Sequence, residues 1–148
     1  MAYTTINKST DHFNALAYSG TASTNAVTGV GFQPDWVWIK QRTGSTPSKI
    51  FDSVRGASKS IKSNSTDGEA TNEENGYLNA FGSDGFTVTA GSTGSNDVNA
   101  SSGSKYVAWN WKAGTTGSGT TGGSGSAQSY SYSVNTTAGF SIVKYTGN

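Results

Sequence analysis

Apolar side chains recur at every second position in two stretches of the chain. In Asp35-Trp36-Val37-Trp38-Ile39-Lys40, the two tryptophans fall on one side and Val37 and Ile39 on the other. Successive side chains of a strand point to opposite faces, so apolar residues on both sides predict an inner strand covered above and below. In Lys105-Tyr106-Val107-Ala108-Trp109-Asn110-Trp111-Lys112, Val107, Trp109 and Trp111 share one face, and Tyr106, Ala108 and Asn110 the other. Weaker alternation predicts further strands over Phe13 to Tyr18, Ser48 to Ser53, Ser60 to Asn64, Leu78 to Phe81 and Gly85 to Thr89. Short strands separated by turn clusters predict an all-β fold, an antiparallel sandwich. Two neighbouring inner strands of this kind would fill a core about 10 Å thick. The expected structural core is therefore Trp36, Trp38, Trp109 and Trp111, with Phe32 and Phe86.

The pattern changes after Ala113. Residues 114–127, Gly-Thr-Thr-Gly-Ser-Gly-Thr-Thr-Gly-Gly-Ser-Gly-Ser-Ala, hold nothing that could build a core and are expected to form a flexible linker. The expected organisation is a β-sandwich domain over 1–113, the linker, and a C-terminal strand segment over 128–148. That last segment echoes the start of the chain. Phe13, Tyr18 and Gly20 return as Phe140, Tyr145 and Gly147, each 127 positions on, with Leu16 matched by Val143. The tail thus reads as the first strand of a second repeat. A lone strand leaves its backbone groups unpaired, so Phe140, Ile142 and Tyr145 are expected to mediate strand pairing or oligomer contacts. The chain would then be a fragment of a longer repeat protein, or its tail would dock on its own sheet or on a neighbouring subunit.

Composition strengthens the all-β reading, because the helix formers Leu, Glu and Met are scarce beside Thr, Val and Tyr. A formal charge of +1 without a basic cluster lacks the field that gathers a polyanion, so nucleic acid is not an expected partner. No apolar run approaches the roughly 18 residues that span a bilayer, and Met1-Ala2-Tyr3-Thr4-Thr5 has no export signal, so no membrane association is expected. The absence of cysteine excludes disulfides and thiol chemistry, leaving toughness to packing or assembly.

Several strings carry a family likeness: residues 29–40 (Gly-Val-Gly-Phe-Gln-Pro-Asp-Trp-Val-Trp-Ile-Lys), Phe51-Asp52-Ser53-Val54-Arg55-Gly56, Asn64-Ser65-Thr66 with Glu69, Phe81 with Asp84-Gly85-Phe86, and Tyr106 to Ala113. Together they resemble a repeated domain of marine bacteriophage structural, tail-fibre-like proteins, over about residues 3–113. The resemblance implies a concanavalin-A-like or SPRY-like sandwich of jelly-roll type, located on the virion surface and extracellular after lysis. It implies a fibre or capsid-decoration module whose partners are other virion proteins and further copies of itself, a trimer by analogy with fibres. A lectin-like receptor-binding domain that holds a host surface glycan is the alternative.

Little in the sequence suggests catalysis, and neither a cofactor nor a metal is expected. Asp52, Arg55 and Glu69 read as a structural ion pair pinning a turn rather than a reaction centre. The acidic residues Asp67, Glu69, Glu73, Glu74, Asp84 and Asp97, with Asn99, match no calcium-loop spacing and read as solvated loop charge. His12, beside Asp11, reads as a surface or edge-strand histidine, since no nucleophile elbow accompanies it. Glycosidase chemistry needs two carboxylates across a cleft, and no such pair stands out. Among the aromatics, Tyr77 in a polar segment is the expected glycan contact.

Overall fold

In a computed structural model, residues 6–93 and 96–147 are described. The opening Met1 to Thr5, considered above for export, and Asn148 at the end of the expected tail segment lie outside the described residues. The described chain has twelve strands: β1 (Phe13–Ser19), β2 (Thr24–Thr28), β3 (Trp36–Gln41), β4 (Lys49–Asp52), β5 (Lys59–Lys62), β6 (Ala70–Thr71), β7 (Tyr77–Gly82), β8 (Gly85–Thr89), β9 (Lys105–Trp111), β10 (Thr115–Thr120), β11 (Ser129–Asn135) and β12 (Phe140–Tyr145). No helix among these residues is long and apolar enough to cross a membrane. The strands form a six-stranded sheet, β1-β9-β3-β4-β5-β6, and two three-stranded sheets, β2-β8-β7 and β10-β11-β12. Every pairing is antiparallel.

The fold is an all-β antiparallel sandwich. One face of the six-stranded sheet packs on β2-β8-β7 through Val37, Ile39, Phe51, Tyr106 and Ala108 on one side and Val27, Leu78, Phe86 and Val88 on the other. The segment before β9 folds in between them. There Val98 is buried, Tyr18 Oη donates to the Val98 carbonyl at 2.7 Å, and Tyr106 Oη donates to the Asn96 carbonyl at 3.0 Å. The two phenol rings stack at 5.0 Å. Asp35 ties three strand ends together, accepting from Ala113 N–H at 2.8 Å and from Ser53 Oγ at 2.9 Å.

The tryptophans occupy the opposite face from the one expected. Phe32 and Phe86 are buried, but Trp36, Trp38, Trp109 and Trp111 are only partly covered and stand outside the inter-sheet core. An alternation apolar on both sides cannot say which side meets the partner sheet. What decides is the polar part of the pattern. Asn110, on the face of Tyr106 and Ala108, is wholly buried and donates to the Asn14 carbonyl at 3.0 Å, while Tyr106 needs the carbonyl offered by the Asn96 segment. The Asn110 amide N–H group and the Tyr106 hydroxyl find these carbonyls on the inward side.

A third layer covers part of the tryptophan face, and it comes from the segment expected to be a linker and a tail. Thr115 to Thr120 is not a flexible tether but strand β10, paired with β11 from Thr115↔Val134 to Thr120↔Ser129. Nor is β12 alone, because it pairs with β11 of the same chain from Tyr130↔Tyr145 to Asn135↔Phe140. Composition misleads here because glycine content reports how freely the unfolded chain moves, not whether its backbone finds hydrogen-bonding partners.

Candidate interaction surface

The register of β10-β11-β12 sorts its side chains into two faces of different chemistry. One face carries Ser133, Ile142 and Phe140 and turns inward. Ser133 and Ile142 are buried there, and Phe140 lies 6.1 Å from Trp111 and 6.4 Å from Trp36, ring centre to ring centre. Phe13 packs on the same Trp111 at 4.7 Å, so the two phenylalanines of the internal echo both rest on one indole. Asn135 fastens the layer at its end: its Nδ2 donates to the Lys112 carbonyl at 3.2 Å and lies 2.9 Å from His12 Nδ1.

The other face turns outward. Across it the register aligns Gly119, Tyr130 and Tyr145 in one row, Gly117, Tyr132 and Val143 in the next, and Thr115, Val134 and Ser141 in the third. The rings of Tyr130 and Tyr132 stack at 6.2 Å. Each lies flat over a glycine, for a Cβ at Gly117 would stand 2.5 Å from the Tyr132 hydroxyl and one at Gly119 2.8 Å from that of Tyr130. Val143 and Tyr145 are 56% and 72% exposed, the two large apolar side chains most open to solvent among the described residues. No charged residue falls in these rows. Such a neutral, aromatic sheet face is the character of an interaction surface, whereas single exposed apolar residues need no explanation.

Beneath the edge of this layer runs a groove of about 370 Å³, bounded by Trp36, Asp52, Arg55 and Ile61 of the sandwich and by Ile142 and Lys144 of β12. Its polar wall is already occupied. Arg55 Nε bonds Asp52, its Nη2 donates to the Ile50 carbonyl at 3.0 Å, and its Nη1 reaches Glu69 at 3.5 Å. Asp52 in turn accepts the Arg55 N–H at 2.7 Å, closing the turn that follows β4.

Residues 8–148 match the family described as Domain of unknown function (DUF7483). The chain belongs to this family. The matched span takes in β10, β11 and β12, so the tyrosine-bearing layer is part of the DUF7483 domain. No curated protein and no solved structure matches the chain.

The DUF7483 domain gathers some of the expected site residues and disperses others. Asp52, Arg55 and Glu69 meet around one turn. Tyr77 is half-buried against the sandwich core, on a different sheet from the outward tyrosines. Of the expected trio, Ile142 is buried and Phe140 rests against Trp36 and Trp111 on the chain's own tryptophan face, whereas Tyr145 is exposed. The acidic residues are not uniformly solvated, since Asp97 and Asn99 are buried and Asp84 accepts the Gly31 and Gly29 N–H groups at 2.7 and 3.0 Å. No cluster of His, Cys, Asp and Glu suited to a metal occurs among the described residues. Sequence reasoning missed Tyr130, Tyr132 and Val143. The signal was present in Gly117-x-Gly119 and Tyr130-x-Tyr132, two period-two runs that complement each other once paired.

Proposed function

We propose that this DUF7483 domain is a structural module of a bacteriophage virion, a fibre or capsid-decoration component, that works by protein–protein assembly. The concanavalin-A-like, SPRY-like likeness to marine phage structural proteins belongs to the same reading. One observation carries it: the uncharged outward face of β10-β11-β12, with Val143 and Tyr145 open to solvent while the inward face is already committed. We assign a second copy of the chain as its occupant. A face without charge meets its own image without like-charge repulsion, and closed symmetric assembly from a self-complementary patch is the common route to homo-oligomers. Particles purified from a lysate of the virus and host that encode the chain should contain it at a stoichiometry typical of structural proteins. Its absence from intact particles overturns the reading.

The two stacked tyrosine rings support a second reading, a lectin-like glycan site, because flat aromatic faces stack on sugar rings. On this reading the contact residues are Tyr130, Tyr132 and Tyr145 in place of Tyr77. A host-surface glycan array probed with wild type and Tyr132→Ser separates the two. Binding that the substitution abolishes favours the glycan, and no binding to any host polysaccharide leaves assembly.

A further inference from the structure

One core position of the sandwich holds a lysine. Lys49 alternates with Phe51 on the inward face of β4, and its side chain is wholly buried. Its ammonium nitrogen touches two carboxylates, Glu73 from the loop before β7 and Asp97 from the segment before β9, the latter at 3.2 Å. The Asp97 side chain is 2% exposed and that of Glu73 15%. Lys49 Nζ, Glu73 Oε2 and Asp97 Oδ2 are all shielded from water and meet one another as ions. An interior site with one cation and two anions is poorly compensated, since each ion has lost its hydration and one negative charge has no counterpart.

We propose that Lys49 and Asp97 condense into an intramolecular amide, with Glu73 moving the protons. Glu73 takes a proton from the ammonium and delivers it to the Asp97 carboxylate, which becomes a carboxylic acid. The neutral Nζ attacks Asp97 Cγ, forming the N–C bond. Glu73 removes the second proton from the nitrogen and passes it to the departing hydroxyl as the C–O bond breaks, and one water leaves. The ammonium and the carboxylate are consumed, one amide and one water are formed, and no oxidant or other reagent is needed. Burial lowers the Lys49 ammonium from its ordinary value, the Asp97 charge opposing this only in part, a shift in the direction of the neutral amine. Nζ lies 3.2 Å from Asp97 Oδ2, an oxygen bonded to the carbon it attacks, so the two reacting groups are already held in contact. Glu73, the more open of the two acids, is placed to let the water out. Two of the three buried charges disappear, which gives the reaction its driving force. The product ties β4 to the segment that plugs the sandwich, a covalent strut in a chain with no cysteine.

Intact-mass spectrometry of the full chain tests this directly. The folded wild type should be lighter than its sequence by one water. Trypsin should then leave residues 43–55 uncut after Lys49 and joined to residues 63–105, with fragment ions placing the branch at Asp97. Lys49→Met and Asp97→Ala should each restore the full mass. Glu73→Gln, which keeps both reacting groups, should leave most of the chain unlinked at the time when wild type is complete. A folded wild type with its full mass overturns the proposal, as does a branch at Glu73 or a water loss that persists in Lys49→Met. None of these results bears on self-association, so the strut and the assembly reading fail separately.

Discussion

On the inward face of the six-stranded sheet Val37, Ile39, Phe51, Tyr106 and Ala108 are almost wholly buried, whereas Trp36, Trp38, Trp109 and Trp111, their immediate neighbours along β3 and β9, are only partly covered. The same strands supply both faces, so the difference arises from what lies above each. Inward there is the three-stranded β2-β8-β7 sheet together with the Asn96 to Ala100 segment, which brings carbonyls to the buried phenols. Outward there is one small sheet whose Phe140 reaches Trp36 and Trp111, while Trp38 and Trp109 lean on each other at 5.5 Å. Large side chains do not of themselves mark a core. They mark a surface that something must cover, and here the cover comes from the C-terminal layer.

The sharpest way to break this comparison is to truncate one side chain on each face. Phe51→Ala should cost about 3–5 kcal/mol in chemical denaturation, the range for deleting a buried phenyl. Trp109→Ala should cost about 1–3 kcal/mol, because a partly covered ring surrenders less burial. Equal losses would contradict the assignment of faces. Arg55→Ala comes next, at about 1–3 kcal/mol, since it leaves buried Asp52 without its guanidinium. An unchanged melting temperature would show that the backbone N–H bonds of the turn suffice.

Alkaline titration sharpens the inward side. Burial, and then its neighbour Tyr106, holds the Tyr18 phenol well above its ordinary 10.0, and burial also raises Tyr106. Phenols of the unfolded chain lose their protons near 10.0 while these two keep theirs. The stability they contribute is therefore complete below that pH and is lost as pH climbs toward the folded values. Tyrosinate absorbance of Tyr18 and Tyr106 should emerge together with unfolding, and its appearance in a chain that remains folded would contradict their burial. The smallest stability effect belongs to the outward side. Phe140→Ala should leave the sandwich transition within about 1 kcal/mol of wild type, yet increase acrylamide quenching of tryptophan fluorescence as Trp36 and Trp111 lose their cover. Unchanged quenching would mean that the C-terminal layer does not shield them.

The sandwich was legible in the sequence because period-two alternation is a local property, and β3, β8 and β9 followed from it with little error in their ends. Strand β2, Thr24–Thr28, escaped notice because its single buried apolar side chain is Val27. The choice of face depended on where buried polar groups find partners far along the chain, which alternation does not record. The C-terminal layer was misread for a similar reason: Gly117 and Gly119 look like a tether until Tyr132 and Tyr130 are laid across them. The Asp52–Arg55 contact was readable because three residues of one turn bring it about. Lys49, Glu73 and Asp97 sit on separate elements, and only the closed sandwich makes them neighbours.

Self-association through the outward tyrosine face is the central claim, and sedimentation velocity over a range of concentrations tests it most directly. Wild type should sediment faster as concentration rises, while Tyr145→Asp, with unchanged circular dichroism, should remain a monomer throughout. A wild type that stays monomeric, or a Tyr145→Asp variant that associates as wild type does, contradicts the account.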